Sequence, residues 1–450
     1  MHSKSICAYV LGLILLFLSV IGTLLIPAQS DFYNIIIGVV LSFVGYILLF
    51  PSFSIKERFT VLLVIGIGLR IIFVFSMPNL SNDIFRFAWD GLLLQEGMHP
   101  FLYTPDQIME FDMFQSDKAY YLYERLNSQG YYSIYPPLCQ LSFYISTLVN
   151  PFSIANVVVV FKLLFLLCEF GSFFFVVKIL QHLGQNPGNV FYYVFNPLVI
   201  IELFGNIHFE LMMVTFMAGC IYFILSNRLL LAGIFFASAI ATKLLPLMFL
   251  PVILYYLYIR KENLVTFISS VLVSCVLLFV PLFYSTWRNL LASVDLYFQK
   301  FEFNASIYYL MRKIFAWITG YNQIWIIGPA LGIIALFLIL KISMRKFKDQ
   351  STQLDLLNKM LWIFVVYLLL ATTIHPWYLG FLLLVNVFFR YTFIWVWSLL
   401  IFLSYSAYDS QPFQEHSWLL FVEYAITCVV LVWELKISKS ANQPLLQFLK

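Results

Sequence analysis

Charge is scarce in this sequence: of 450 residues only 11% are Asp, Glu, Lys or Arg, against 62% hydrophobic. A chain with so little charge and a mean hydropathy of +0.90 cannot clothe a water-soluble surface, so its long segments belong in lipid. Other absences narrow the class. The six cysteines, at positions 7, 139, 168, 220, 275 and 428, fall in or beside apolar runs without metal-ligand spacing, and none lies in the one long polar loop. Neither a disulfide framework nor a thiolate metal site is indicated. There is no Gly-rich nucleotide loop, no HExxH-like pattern, no internal repeat and no low-complexity segment. Strand-like alternation is missing as well, which argues against a transmembrane barrel. The net charge of +4 is of the size that cytoplasmic loop lysines and arginines supply, and gives no argument for nucleic acid.

What the sequence does contain is a series of apolar runs of spanning length, at about 6–27, 33–51, 59–77, 155–181, 188–205, 207–226, 264–284, 322–342, 357–374, 391–408 and 417–435. The first follows Lys4 and is longer than a signal core, so it reads as a span. Leu229 to Tyr258 is too long for one helix and is interrupted by Lys243 and Pro246, which predicts two short helices meeting near Lys243. A further short segment lies at 376–390. These features predict an all-α polytopic membrane protein, with residues 1–450 forming one domain.

The basic cluster Lys341, Arg345, Lys346 and Lys348 belongs on the cytoplasmic side by the positive-inside rule. Alternation from there places the loop 78–135 outside, provided that the apolar piece 138–150 does not span. That loop carries eight acids (Asp83, Asp90, Glu96, Asp106, Glu110, Asp112, Asp117, Glu124) against three bases (Arg86, Lys118, Arg125) and is rich in aromatics. Such a surface suits carbohydrate better than nucleic acid. The same face receives Gly205–Glu210, Lys243, Arg288, Phe303–Ser306 with Tyr309 and Arg312, His375–Tyr378, and Glu415–His416. Polar groups so expensive beside lipid predict one shared cavity at the outer interface.

Within the loop, Ser81–Gly91 concentrates two carboxylates, an arginine and a tryptophan. Asp83 and Asp90 stand seven residues apart, two helical turns, with Arg86 between them. They suit a general base with an orienting partner, a reading favoured for Asp83; the alternative is a solvated helix N-terminus capped by Ser81, Asn82 or Asp83 and followed by an Asp90-Gly91 turn, which fits Asp90 as well. His99–Tyr103 and Tyr131–Pro137 are aromatic pieces fit either for sugar stacking or for an interfacial belt. Lys243 is placed to meet a lipid phosphate or merely to snorkel. Arg70, Lys162 and Glu169 lie deeper, where a buried pair holding helices is the plainer reading. His208 and Glu210 are spaced i, i+2, which points them apart on a helix, so with His375 and His416 they predict no metal site.

These residues bear a resemblance. Asn82-Asp83-Ile84-Phe85-Arg86-Phe87-Ala88-Trp89-Asp90-Gly91 with Gly97-Met98-His99-Pro100-Phe101 resembles the "D-I-Y-R-Y-x-W-D-G … G-x-N-P-Y" pattern of bacterial polytopic mannosyltransferase-like proteins of the glycosyltransferase C superfamily. Further pieces follow in order: Tyr135-Pro136-Pro137 is similar to "Y-P-P", Asn196-Pro197 to "N-P-L", Gly205–Glu210 to "G-N-x-H-x-D/E", Lys243 with Pro246 to "K-x-x-P", and His375–Tyr378 to "H-P-W-Y". The resemblance covers about residues 78–380. It departs at Asn82, where a second acid often stands, and at His99, where asparagine is usual.

The resemblance implies a bundle of about 12–14 transmembrane helices with a large outer loop carrying short interfacial helices. It also implies transfer of a sugar, mannose foremost, from a polyprenyl-phosphate donor to a glycan or glycolipid acceptor hydroxyl with inversion. The reaction would need no cofactor and would take place at the periplasmic face of a bacterial inner membrane. Asp83 would be the base. The expected substrate-binding residues are Arg86, Trp89, Asp90, His99, Tyr135, Asn206, His208, Glu210, Lys243, Asn304, Arg312, His375, Trp377 and Tyr378. A flippase or a ligase of lipid-linked sugars is the alternative, but a transporter usually gathers polar residues near the midplane in repeated halves. In a cysteine-free background, an impermeant thiol reagent added from outside should label a cysteine at position 117 and spare one at 346. The opposite pattern would refute the orientation.

Overall fold

In lipid an apolar segment must satisfy its own backbone hydrogen bonds, so the long runs fold as helices. The computed structural model describes residues 2–26, 28–114, 116–283, 286–289, 301–347, 352–410 and 413–441; Lys348 of the basic cluster lies outside them. The helices of nine residues or more are α1 (His2–Leu24), α2 (Phe32–Phe53), α3 (Phe59–Phe73), α4 (Asp83–Gln95), α5 (Pro137–Thr147), α6 (Ile154–His182), α7 (Glu210–Leu225) and α8 (Leu229–Thr242). They continue with α9 (Leu250–Ile259), α10 (Leu264–Phe283), α11 (Ile307–Thr319), α12 (Ile324–Met344), α13 (Thr352–Leu370), α14 (Thr392–Leu400) and α15 (Ser417–Ala441). Among the described residues seven helices are long and apolar enough to cross a membrane: α1, α2, α6, α10, α12, α13 and α15. A bent pair, Pro187–Val194 and Val199–Gly205, turns through 70° and makes an eighth if it is one span. The protein is an all-α, multi-pass membrane bundle with additional shorter helices.

Short apolar helices complete it: α7, α8, Leu245–Ile259 and Pro376–Asn386. They are short because the chain breaks where polar residues occur. At Asn196-Pro197 the proline has no N–H to donate, and Asn196 Oδ1 instead accepts from Leu198 N–H at 2.9 Å, so the pair bends there. At Lys243 the backbone is extended (φ −150°, ψ 143°), separating α8 from the turn that begins at Leu245. The expected span 59–77 stops at Phe73. Lys162 Nζ, buried in α6, donates to Phe73 O at 2.9 Å and Ser76 O at 2.8 Å and so takes up carbonyls at that helix end. Arg70 and Glu169 form a buried α3–α6 ion pair at 3.1 Å. All three ionisable groups therefore tie helices together.

The broken elements lie inside and the long spans outside. Residues 189–205 are buried throughout, as is nearly all of α7, whereas α10 exposes Leu272, Val273, Val276 and Leu277 on its outer face. The segment 138–150 holds the eleven-residue α5. At 1.5 Å per residue α5 is about 17 Å long, too short for a hydrocarbon core of about 30 Å.

The polar loop is built on α4 and α5. Pro136 and Pro137 start α5 with fixed φ, and short helices at Pro105–Ile108 and Asp117–Tyr123 are capped by Thr104 and Ser116. Helix α4 crosses α5 at Gly91, where an added Cβ would stand 2.5 Å from Phe143 O and 2.7 Å from the Thr147 side chain. Gly91→Ala should therefore force the helices apart, costing about 1–3 kcal/mol. A thermal melt in detergent should show a clearly lowered midpoint, and an unchanged midpoint would refute the close packing.

Candidate active site

Four rings stack in a column where three chain breaks meet. His208 lies against Trp377 (centroids 3.6 Å apart, planes at 14°), Trp377 against His375 (4.4 Å, 3°), and His375 against Phe303 (4.8 Å, 26°). The column joins distant segments, so its geometry is set by tertiary packing. Phe303 is held by a parallel bridge to Thr373, with Phe303 N–H donating to Thr372 O at 3.1 Å and Ile374 N–H to Phe303 O at 2.8 Å. Left-handed backbone stands beside both ends of the column, at Ile207 (φ +59°) and Asn304 (φ +47°). For a β-branched residue such as Ile207 this is strained by about 1–3 kcal/mol, the kind of cost that functional sites retain. His208 Nε2 and His375 Nδ1 are buried with no hydrogen-bond partner among the described residues. Beside Trp377 and His375 stands the ring of Tyr378, which lies 4.8 Å from Lys243 Nζ.

Lys243 is the electrostatic centre. Its ammonium pairs with the buried Glu210 carboxylate while remaining partly exposed, and its charge reaches Asp83, His208 and His375. Burial pushes both imidazoles toward the neutral form, and Lys243 pushes them further; His375 falls to about 3 and His208 well below its ordinary value. Each is a neutral ring at neutral pH, able to donate through one nitrogen and accept through the other.

Asp83 opens α4 and is partly exposed. Its Oδ1 accepts from Asn127 Nδ2 at 3.2 Å, and its backbone N–H donates to Ser81 Oγ at 3.3 Å. Burial raises its carboxyl pKa, and the Asn127 hydrogen bond and the Lys243 charge pull it partly back. Tyr135 is close enough to feel the Asp83 charge, as is Tyr408. The carboxylate, the ammonium, the neutral imidazoles and Tyr135 thus share one neighbourhood.

Other expected substrate contacts are placed in the framework. Asp90 is fully buried and binds Arg86 Nε at 2.9 Å, Ser133 Oγ at 2.5 Å and Gln140 Nε2 at 2.9 Å. Arg86 Nη1 donates to Ser128 O, Ser128 Oγ and Tyr131 O, each at 3.1 Å. A charged pair at this depth needs such satisfaction, so Arg86 and Asp90 pin the loop to α4 and α5 and do not pair with Asp83. Trp89 is wholly buried beside Phe114 and Tyr123, the loop's own core. His99 Nε2 bonds Leu282 O at 2.5 Å and fastens the 97–103 turn to the end of α10.

Asn206 is buried, accepting from Leu80 N–H at 3.1 Å and donating to Ile201 O at 3.0 Å. Asn304 is held through its N–H by Glu415 (2.6 Å), through its amide by Glu423 (3.3 Å) and through its carbonyl by Tyr424 (2.6 Å). Arg312 pairs with Glu302 and lies 4.4 Å from the Tyr309 ring, in a second polar cluster with Tyr308 and Glu415. The expected shared cavity is therefore two adjoining groups linked through Phe303. Glu202, Tyr405 and Asn127 belong to none of the sequence motifs; of the three only Glu202, an acid inside an apolar run, has a visible signal in the sequence.

A family model described as alpha-(1->6)-mannopyranosyltransferase, N-terminal domain, matches residues 15–259, more than half of the chain. No curated protein matches it. The region covered includes Asp83, His208 and Lys243, while His375 and Trp377 lie beyond it.

The electrostatics make a pH prediction. The Lys243 ammonium favours the charged form of Asp83, so Lys243→Ala should raise the Asp83 pKa further. If transfer requires the Asp83 carboxylate, the acid limb of kcat/KM should move to higher pH in this variant, and an unmoved limb would uncouple the two residues.

Proposed function

The chain belongs to the alpha-(1->6)-mannopyranosyltransferase family, and from that premise we propose that it moves a hexose, mannose foremost, from a polyprenyl-phosphate carrier to an acceptor hydroxyl with inversion. The acceptor is a glycan or glycolipid, and the reaction takes place at the outer face of a bacterial inner membrane. Residues 1–450 act as one unit with 78–135 as the catalytic loop. One observation carries the reading: Lys243, paired with Glu210 and 4.8 Å from the Tyr378 ring, stands beside the stacked His375 and Trp377 rings, and its charge is felt at Asp83.

In this mechanism Asp83 is the base. The acceptor hydroxyl attacks the sugar C1 as Asp83 takes its proton, the C1–O bond to phosphate breaks, and the phosphate leaves with the bonding pair. A positioned carboxylate contributes on the order of 10² to 10⁴ in rate to such a step. Burial leaves Asp83 a stronger base than an exposed aspartate, matching a weakly acidic hydroxyl. Lys243 meets the leaving phosphate. Its pairing with Glu210 holds the ammonium in place before the donor binds, and fixed charge of this kind stabilises a leaving group without reorganisation. The stacked His208, Trp377 and His375 rings offer the sugar their edges and neutral hydrogen-bonding nitrogens, with Tyr135 and Tyr378 beside them.

Asparagine is nearly isosteric with aspartate but cannot take the proton at neutral pH. Asp83→Asn should therefore lower kcat by roughly 10² or more, with donor KM unchanged, when purified protein is assayed with labelled polyprenyl-phosphate mannose and extracted envelope acceptors. Transfer within about threefold of wild type would remove Asp83 from the mechanism. Polyprenyl-phosphate glucose in parallel identifies the sugar, and transfer from neither donor would favour a carrier of lipid-linked sugars.

A further inference from the structure

Glu202 is a completely buried carboxyl group in the second half of the bent pair, and among the described residues no lysine or arginine lies within ion-pair distance of it. A carboxyl group at such a depth is costly and calls for a use. Its oxygens converge on polar neighbours. Oε1 accepts from the Tyr405 hydroxyl at 2.9 Å, while Oε2 lies 3.5 Å from Asn206 Nδ2 and 3.5 Å from His208 Nε2.

Two of these neighbours grip the same residue. Asn206 Oδ1 receives the Leu80 N–H at 3.1 Å, and the Tyr405 hydroxyl lies 3.4 Å from the Leu80 carbonyl. Leu80 is itself buried and stands three residues before Asp83, in the connection that carries the chain from α3 into α4. Because Tyr405 has one proton and its shorter contact is to Glu202, the full bond on Leu80 is the one from Asn206. That bond requires the Asn206 amide to keep its oxygen toward Leu80 and its nitrogen toward Glu202 and Ile201 O.

We propose that Glu202 is a positioning residue for Asp83: held itself by the Tyr405 hydroxyl, it orients the Asn206 amide that locks the Leu80 peptide, and so sets where α4 begins and where its first carboxylate stands. The inference rests on Asp83 being the base. Glu202 does not touch substrate in this scheme. Replacing it by glutamine keeps the volume but turns one acceptor into an N–H₂ donor: against Tyr405 it reverses that bond and sends the hydroxyl proton to Leu80 O, and against Asn206 Nδ2 it sets donor against donor. In the second orientation Asn206 faces donor with donor, and its flip would lose the Leu80 bond.

The test is a double-mutant cycle on the full-length protein in lipid nanodiscs, using the same transfer assay. Glu202→Gln should lower kcat about tenfold with donor KM unchanged, yet add less than about twofold to the loss already present in Asp83→Asn. Tyr405→Phe, which removes one oxygen and leaves the ring packing, should behave in the same direction with a smaller loss, and it carries the test if Glu202→Gln does not fold. Losses that multiply in the Asp83→Asn background would overturn the proposal and make Glu202 a general support of the fold. A fully active Asp83→Asn variant would instead overturn the base assignment, a distinct result that removes this inference with it.

Discussion

Backbone inside a membrane tolerates a break only where protein, not lipid, surrounds it. This constraint organises the molecule. The polar clusters sit at chain breaks: the bend at Asn196-Pro197 leading to His208, the extended residue Lys243, and the turn after α13 that holds His375. Each break frees backbone groups and admits polar side chains, and each is enclosed by longer helices whose outer faces are apolar. The candidate site is thus the place where the bundle could afford irregular chain.

Enclosure has electrostatic consequences. A lysine near burial and beside a single carboxylate projects its charge further than the same pair would in water. Burial keeps the two imidazoles neutral and raises Asp83; the Lys243 charge adds to the first effect and opposes the second. Glu210 supplies the compensating charge and leaves the ammonium partly exposed.

The two halves of the chain contribute unequally but jointly. Asp83, His208, Glu210 and Lys243 come from the part that the family model covers, while His375, Trp377 and Phe303 come from beyond it. The C-terminal span α15 reaches the column indirectly, since Glu423 and Tyr424 hold Asn304 in its left-handed conformation next to Phe303. Removing that anchor would free Asn304 to leave this conformation and loosen the ring that backs His375.

The sequence by itself determined the all-helical, multi-pass architecture, because runs of apolar residues at spanning length have one low-energy backbone in lipid. It also located the break at Lys243, since a charge and a proline inside an apolar run admit few other readings. Asp83 could be singled out by its position at the head of a polar helix. What the sequence could not divide was the polar set itself. Arg86 and Asp90 look as available as Asp83, being on the same helix, yet they face inward to Ser128, Ser133 and Gln140, partners that lie 42 to 50 positions away in the cases of Ser128, Ser133 and Gln140. Glu202 and Tyr405 meet across 203 positions, and His208 reaches Trp377 only after two helix breaks are folded together. Local pattern records which face of a helix a residue occupies. Which groups at that face are satisfied by the protein, and which remain for a substrate, is decided only when distant segments close around them.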